Sequence, residues 1–339
     1  MHESKVDHSI AMPLVSILVA TYNGEHLLDE LLEILLSSSY TNIEIVIVDD
    51  FSNDGTQKVC EKWKAIDSRI RYFRNEKNIG IFPTYQRLYN LSFGKYVMWN
   101  DQDDLHDPSF ITKAVKILES DESLVLCHSL TEVSVEGLRV HQTSIKSLVG
   151  AKGLKSRYWN LLRTFSDITI YGLIKRDALI ETQLWQERLG SCNLLLFELI
   201  LAGSFQQIEE VLFYYEGKGV KGRPSTGDEL ARSVVRKSNQ NVFLPSLRIL
   251  IAQVKGIWRT QRIGVLDKVL ISILSVLYIL LGILIKLIYR ITLKLFPRIA
   301  RRYLLEPLGK IVFSKKDIVQ LVIRDEHPEI YSRDFPLGK

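Results

Sequence analysis

The sequence predicts an α/β protein, an open, mostly parallel sheet flanked by helices, with a separate apolar helical region after it. Three observations predict this. Short aliphatic runs without polar alternation recur through the first half, as strands buried on both faces should. Between them lie stretches whose apolar residues fall at i, i+3 and i+4. From about Leu230 the alternation gives way to long apolar runs punctuated by single basic residues, so residues 1–230 and 231–339 read as two units.

The elements follow in order. Val15–Ala20 is a first strand, and Glu25–Ser37 a helix with Leu27, Leu28, Leu31, Leu32 and Leu35 on one face. Ile43–Val48 is a second strand ending in Asp49-Asp50. Ser52-Asn-Asp-Gly-Thr56 then reads as a turn and helix cap leading into Gln57–Ile66. Ile70–Phe73 is a short strand and Pro83–Leu91 a helix. Tyr96–Trp99 is a strand that runs straight into Asn100-Asp-Gln-Asp-Asp104. A helix over Pro108–Glu119 and a strand over Leu124–Ser129 complete the regular half. Thr169–Ile174 and Gln206–Tyr215 read as strands, and Asn193–Ala202 as a helix. A β-α-β-α order of this kind calls for a parallel sheet with helices on both faces.

Composition narrows the class. With 339 residues, 46% hydrophobic and 24% charged, the chain is globular, which excludes wholesale disorder and fibrous repetition. Three widely spaced cysteines make no disulfide framework, and neither they nor the seven histidines form a metal-ligand spacing; a reducing compartment fits. Met1–Met12 is polar, unlike a signal peptide. The net charge of +5 hides an asymmetry: residues 231–339 carry 20 Lys+Arg against 7 Asp+Glu, net +13, so the rest is net −8. A basic end of this kind suits nucleic acid or anionic lipid.

Ligands of open α/β sheets bind beyond the carboxyl ends of the strands. Three strand ends here are unusually polar: Thr21-Tyr-Asn-Gly24, Asp49-Asp50 and Asp101-Gln-Asp-Asp104. Acidic residues after strands commonly serve as helix caps or solvated turns. Three such clusters on one edge suit a hard divalent cation, Mg²⁺ or Mn²⁺, which takes one or two carboxylates and completes its shell with phosphate oxygens and water.

Val15–Gly24, Ile45–Thr56, Asn75-x-x-Asn-Ile-Gly80 and Asp101-Gln-Asp-Asp104, in this order and spacing, resemble family 2 glycosyltransferases with the GT-A fold. The Asp-Gln-Asp-Asp form is similar to bacterial enzymes that build surface polysaccharides, rhamnosyltransferases among them. The resemblance covers about 110 residues and continues more weakly from Tyr171 to Tyr215. It implies a nucleoside pocket lined by Thr21, Tyr22, Asn23 and Asp50, with Asp50 accepting a hydrogen bond from the base. Asn78 and Gly80 would floor the ribose and diphosphate. Asp101 would contact ribose or sugar and share a metal with Asp103, and Asp104 is either a further ligand or the cap of the next helix.

At the catalytic base the sequence departs from the family pattern. Family members carry an Asp just before the helix corresponding to Asn193–Ala202, whereas this chain has Cys192 there. Inverting transfer needs a carboxylate to take the acceptor's proton, and a neutral thiol is poor at that. Glu198 on the same helix is the substitute candidate, with a structural salt bridge as its alternative role. The loop Glu216–Pro224 contains a formal GxGxxG, but Pro224 intervenes and no helix opens directly after it, so a basic flap with Lys218, Lys221 and Arg223 is the better reading.

Val269–Ile285 is uncharged over seventeen residues, about 25 Å of helix, slightly short of a bilayer's ~30 Å core. Lys286, Arg290, Lys294 and Arg298 follow at helical spacing, as in a basic amphipathic helix of a headgroup layer. A span, a re-entrant segment, an in-plane helix and a buried helix of a homo-oligomer all remain open at this stage. The expectation is a metal-dependent, inverting glycosyltransferase at the cytoplasmic face of a membrane. Its donor would be a UDP- or dTDP-sugar, its acceptor a glycan or lipid-linked glycan, and nucleic acid is not its partner. The competing expectation is a catalytically inactive glycan-binding or assembly subunit.

Overall fold

The computed structural model describes residues 12–135, 138–143, 153–164, 167–187, 190–216 and 245–295. β1 (Val15–Thr21), β2 (Ile43–Asp49), β3 (Ile70–Arg74) and β4 (Tyr96–Asp101) stand side by side in the order β3-β2-β1-β4, all parallel. Their alternate side chains feed two cores. Leu18, Val46, Val48, Val97 and Trp99 pack with α3 (Ile81–Leu91), α5 (Leu154–Thr164) and α7 (Ser191–Ala202). Ile17, Val19, Ile45, Ile47 and Met98 pack with α1 (Leu28–Leu36) and α4 (Phe110–Ser120), and Cys60 of α2 (Thr56–Ile66) joins them. Burial on both faces is why these runs show no alternation.

Past β4 the sheet becomes mixed, although most of its strands still run in the direction of β1. β5 (Leu105–His106) pairs antiparallel with β9 (Ser204–Glu216), and β9 runs parallel to β6 (Leu124–Val135). β7 (Leu138–Thr143) returns on β6 after two residues, a connection that permits only an antiparallel hairpin. β8 (Leu173–Lys175) is wedged antiparallel between β4 and β6. The strand expected over Thr169–Ile174 is thus mostly a 3-10 turn, Asp167–Tyr171, with only its end in the sheet. Gly172 makes this possible: a Cβ there would lie 2.5 Å from the Cys127 carbonyl oxygen.

A short α6 (Arg176–Leu179) follows β8. The C-terminal helices α8 (Pro245–Arg259) and α9 (Val265–Leu295) pack back onto the first unit, α8 on α7 and α9 on α5 and α8. Ile257 and Ile271 are buried in the core that holds Trp99 and Leu199. A buried chain of hydrogen bonds sets the rotation of α9: Gln253 Nε2 donates to the Tyr158 hydroxyl (2.7 Å), which lies 2.8 Å from Ser275 Oγ, and Ser275 donates to the Ile271 carbonyl. Side chains of α9 are described as far as Leu281. Among the described residues no helix is long and apolar enough to cross a membrane. The expected boundary near Leu230 and the basic loop 217–224 lie outside the described residues.

Candidate functional site

Strand register brings the three polar ends to one edge: Thr21 pairs with Asp49, and Ala20 with Asp101. The loops beyond are stitched together by side chains. Gln102 Oε1 accepts from Thr21 Oγ1 (2.6 Å) and from Tyr22 N (3.2 Å), joining the first strand end to the Asp101–Asp104 turn. Asn23, with a left-handed φ of 52°, donates its N–H to Ser52 Oγ (2.9 Å) and accepts from Asn53 N (3.0 Å). The Tyr22 side chain remains exposed.

Asp50 is buried, and its carboxylate organises the next loop. It accepts from Asn75 Nδ2 (2.7 Å), Ile79 N (2.9 Å) and Gly80 N (2.8 Å). Asp50 thus fixes the loop that carries Asn78 and Gly80 against the end of β2. Asn78 is exposed on that loop, and Gly80 has a φ of 90°, a conformation that favours glycine at the start of α3. Asp49 is a purely internal anchor, receiving Ser52 N and the Tyr72 hydroxyl.

Asp101, Asp103 and Asp104 bring one carboxylate oxygen each to within 4.8 Å of one another. Asp101 and Asp104 are buried and Asp103 is half-buried. Asp101 accepts from the hydroxyls of Tyr85 and Tyr171 (2.7 Å for the latter). Burial raises its pKa above the usual carboxylate range, and the two hydroxyls oppose that rise. Burial and the charge of Asp101 push both tyrosines well above their ordinary value, so they stay neutral donors. Asn100 ties the turn, donating Nδ2 to the carbonyls of Asp101 and Asp104. His106, which burial lowers to about 3, places Nδ1 2.8 Å from Asn100 Oδ1 as a neutral ring. No side chain caps α4 by a hydrogen bond; Asp107, not Asp104, holds its first turn, accepting from Ser109 N and Oγ. Three carboxylates converging in a sheltered turn are a donor set that fits a hard divalent cation.

Glu198 does not join this cluster in any of its contacts. Its carboxylate accepts from Gln183 N (2.7 Å) and Gln183 Nε2 (3.0 Å), and Arg259 of α8 lies 3.6 Å away. Burial raises its pKa, opposed by those hydrogen bonds and by Arg259. The helix periodicity that left it a candidate base could not reveal this. Cys192 lies half-buried in the first turn of α7 against the core, its Sγ 3.2 Å from Asn193 Oδ1. Burial pushes the other two thiols, Cys60 and Cys127, up to about 12. A water-soluble disulfide reagent at neutral pH should therefore label one thiol, Cys192, in the native protein and three after unfolding. Rapid native labelling of two or more would contradict this burial.

Tyr85, Tyr171, Asn100 and His106 carry no role in the reading of the sequence. Tyr85 shares an apolar helix face with Phe82 and Leu88, so it reads as core, and only the fold shows that its hydroxyl reaches Asp101.

An open sheet with helices on both faces and a carboxylate-lined carboxyl edge makes this an α/β protein whose ligand edge is the carboxyl end of its strands. Residues 16–181 match the family model Glycosyl transferase family 2. An uncharacterized glycosyltransferase of Haemophilus influenzae is 34% identical over 124 residues, covering 37% of this chain and 38% of that protein. The chain spans well under two thirds of the length of the curated relatives it matches. Among solved structures, S. aureus TarS 1–349 in complex with UDP-GlcNAc aligns with a TM-score of 0.51 at 16% identity, over 97% of this chain and 95% of that one. The mannosyltransferase PcManGT of Pyrobaculum calidifontis, in complex with GDP-Man and Mn²⁺, aligns with a TM-score of 0.50 at 14% identity, over 96% and 89%. At such identities the likeness is one of fold.

Proposed function

We propose that this chain is a metal-dependent glycosyltransferase that moves a sugar, with inversion, from a UDP- or dTDP-sugar to a glycan or lipid-linked glycan of the cell surface. The observation that carries the reading is the convergence of Asp101, Asp103 and Asp104 beside the loop held by Asp50. The fold neighbours holding UDP-GlcNAc, and GDP-Man with Mn²⁺, support a nucleotide-sugar donor. Tyr22 would stack on the base, and Asp50 would accept from it. Asn78 and Gly80 would floor the ribose and diphosphate, with Thr21 and Asn23 shaping the wall. Asp103 and Asp101, with Asp104, would hold Mg²⁺ or Mn²⁺, which screens a diphosphate and stabilises it as a leaving group. Tyr85 and Tyr171 keep Asp101 aimed. The C-terminal region would hold the enzyme at the cytoplasmic leaflet, beside lipid-linked acceptors.

A screen of nucleotide-sugars with Mn²⁺, reading released nucleotide, tests the proposal, and no release from any donor would defeat it. Cys192 favours a second reading, a catalytically inactive glycan-binding subunit, because a thiol stands where the family pattern has its acid. Cys192→Asp should then raise turnover, whereas in an enzyme with its base elsewhere it should not. Glu198→Gln should change turnover less than threefold, since its carboxylate is engaged by Gln183 and Arg259. A fall of two or more orders of magnitude, within the roughly 10²–10⁴ range of a general base, would instead make Glu198 that base.

A further inference from the structure

The outward side of α9 is apolar along its described length. Leu266, Val269, Ile273, Leu277, Leu280 and Leu281 are each 38–72% exposed. At 3.6 residues per turn they fall within about 120° of one another, opposite Ile271 and Ser275. Those two are fully buried, and Ser275 is locked to Tyr158. The stripe's orientation is therefore fixed by packing. A monomer rarely leaves so continuous an apolar surface to water.

Two features beside the stripe indicate what covers it. Trp159 of α5 is partly exposed at the flank of the helix and meets Tyr278 edge-on at 6.4 Å. Tryptophan and tyrosine concentrate where hydrocarbon meets headgroups. The charge of this region, net +13 over residues 231–339, complements an anionic surface and opposes a second copy of itself. A bilayer could not surround the helix either, because its other side is seated on α5 and α8.

We infer that α9 lies in the plane of an anionic lipid surface, with this stripe sunk to the boundary between headgroups and acyl chains, and that it does not span the bilayer. The inference deepens the membrane attachment proposed above. It selects one geometry from several: the helix lies flat, and the domain is held against the leaflet on its α5–α8 side.

The test uses full-length protein diluted from detergent into phosphatidylcholine vesicles with or without 30% phosphatidylglycerol. Flotation should show at least tenfold preference for the anionic vesicles. Leu277→Asp with Leu280→Asp should cut that binding at least tenfold without lowering Tm, because both side chains face outward. Fluorophores on Leu266→Cys, Ile273→Cys and Leu280→Cys, in a Cys192→Ser background, should be quenched to the same shallow depth. Unequal depths would mean a span, and unchanged binding by the double variant would place the contact elsewhere. A vesicle-free dimer that shields the fluorophores would assign the stripe to a second copy. Each of these overturns the inference. Nucleotide release, read separately in detergent, keeps the two proposals apart: an active protein that ignores vesicles defeats only this one, and a bound protein that hydrolyses no donor defeats only the function.

Discussion

Asp103→Asn should abolish transfer while leaving the fold as stable as before. Its carboxylate is one of three within 4.8 Å, half-buried and close to two like charges. Removing one negative charge relieves repulsion, so Tm should hold or rise slightly. In the proposed mechanism, binding of a divalent cation depends on that same charge. Electrophilic stabilisation by a bound cation is worth several kcal/mol, so turnover should fall by roughly 10²-fold or more. Titration with Mn²⁺ should show the same loss without any reaction. EDTA should stop the unsubstituted protein, and Mn²⁺ or Mg²⁺ should restore it. Full activity in chelator would remove the metal from the mechanism.

Asp50→Asn should damage donor binding and stability together. Three donors, from Asn75, Ile79 and Gly80, converge on its two oxygens. An amide offers one oxygen and turns an N–H₂ toward groups that are themselves donors. A buried polar group left unsatisfied costs about 1–3 kcal/mol, which for a domain of this size lowers Tm by roughly 2–10 °C. The loop from Asn75 to Gly80 would lose its anchor, and nucleotide affinity should drop at least tenfold. A titration with UDP or dTDP beside a thermal scan reads both effects. Lower Tm with unchanged affinity would separate this loop from the donor pocket.

The parallel half of the fold was legible because strands buried on both faces leave unbroken aliphatic runs, and their carboxyl ends carried the polar clusters. Strand direction is not written in such runs, so the antiparallel seat of β8 between β4 and β6 was not legible. Asp50 was legible as part of a polar strand end, but its partners lie 25 to 30 residues away and no spacing rule links them. Glu198 was ambiguous for a different reason. On α7, Leu194, Leu195, Leu196, Leu199, Ile200 and Leu201 are all buried, so the helix has no polar face whose phase could show which way Glu198 points. The hydroxyls of Tyr85 and Tyr171 were hidden because an aromatic ring at apolar spacing gives no sign of what its far end touches.

The seating of Ile257 and Ile271 in the core around Leu199 has a consequence for biosynthesis. That core face is translated long before its cover: Ile271 follows the end of α7 by about seventy residues. At 5–20 residues per second, the interval lasts roughly 3–14 s. During it the nascent chain carries an uncovered apolar flank while it is still tethered to the ribosome. Closure waits until α9 has left the ribosome, and a chain stopped near Leu230 would never reach it. Such a fragment would keep Asp50 and the Asp101–Asp104 turn yet present the Tyr158 and Leu199 side of the sheet to chaperones and to other nascent chains.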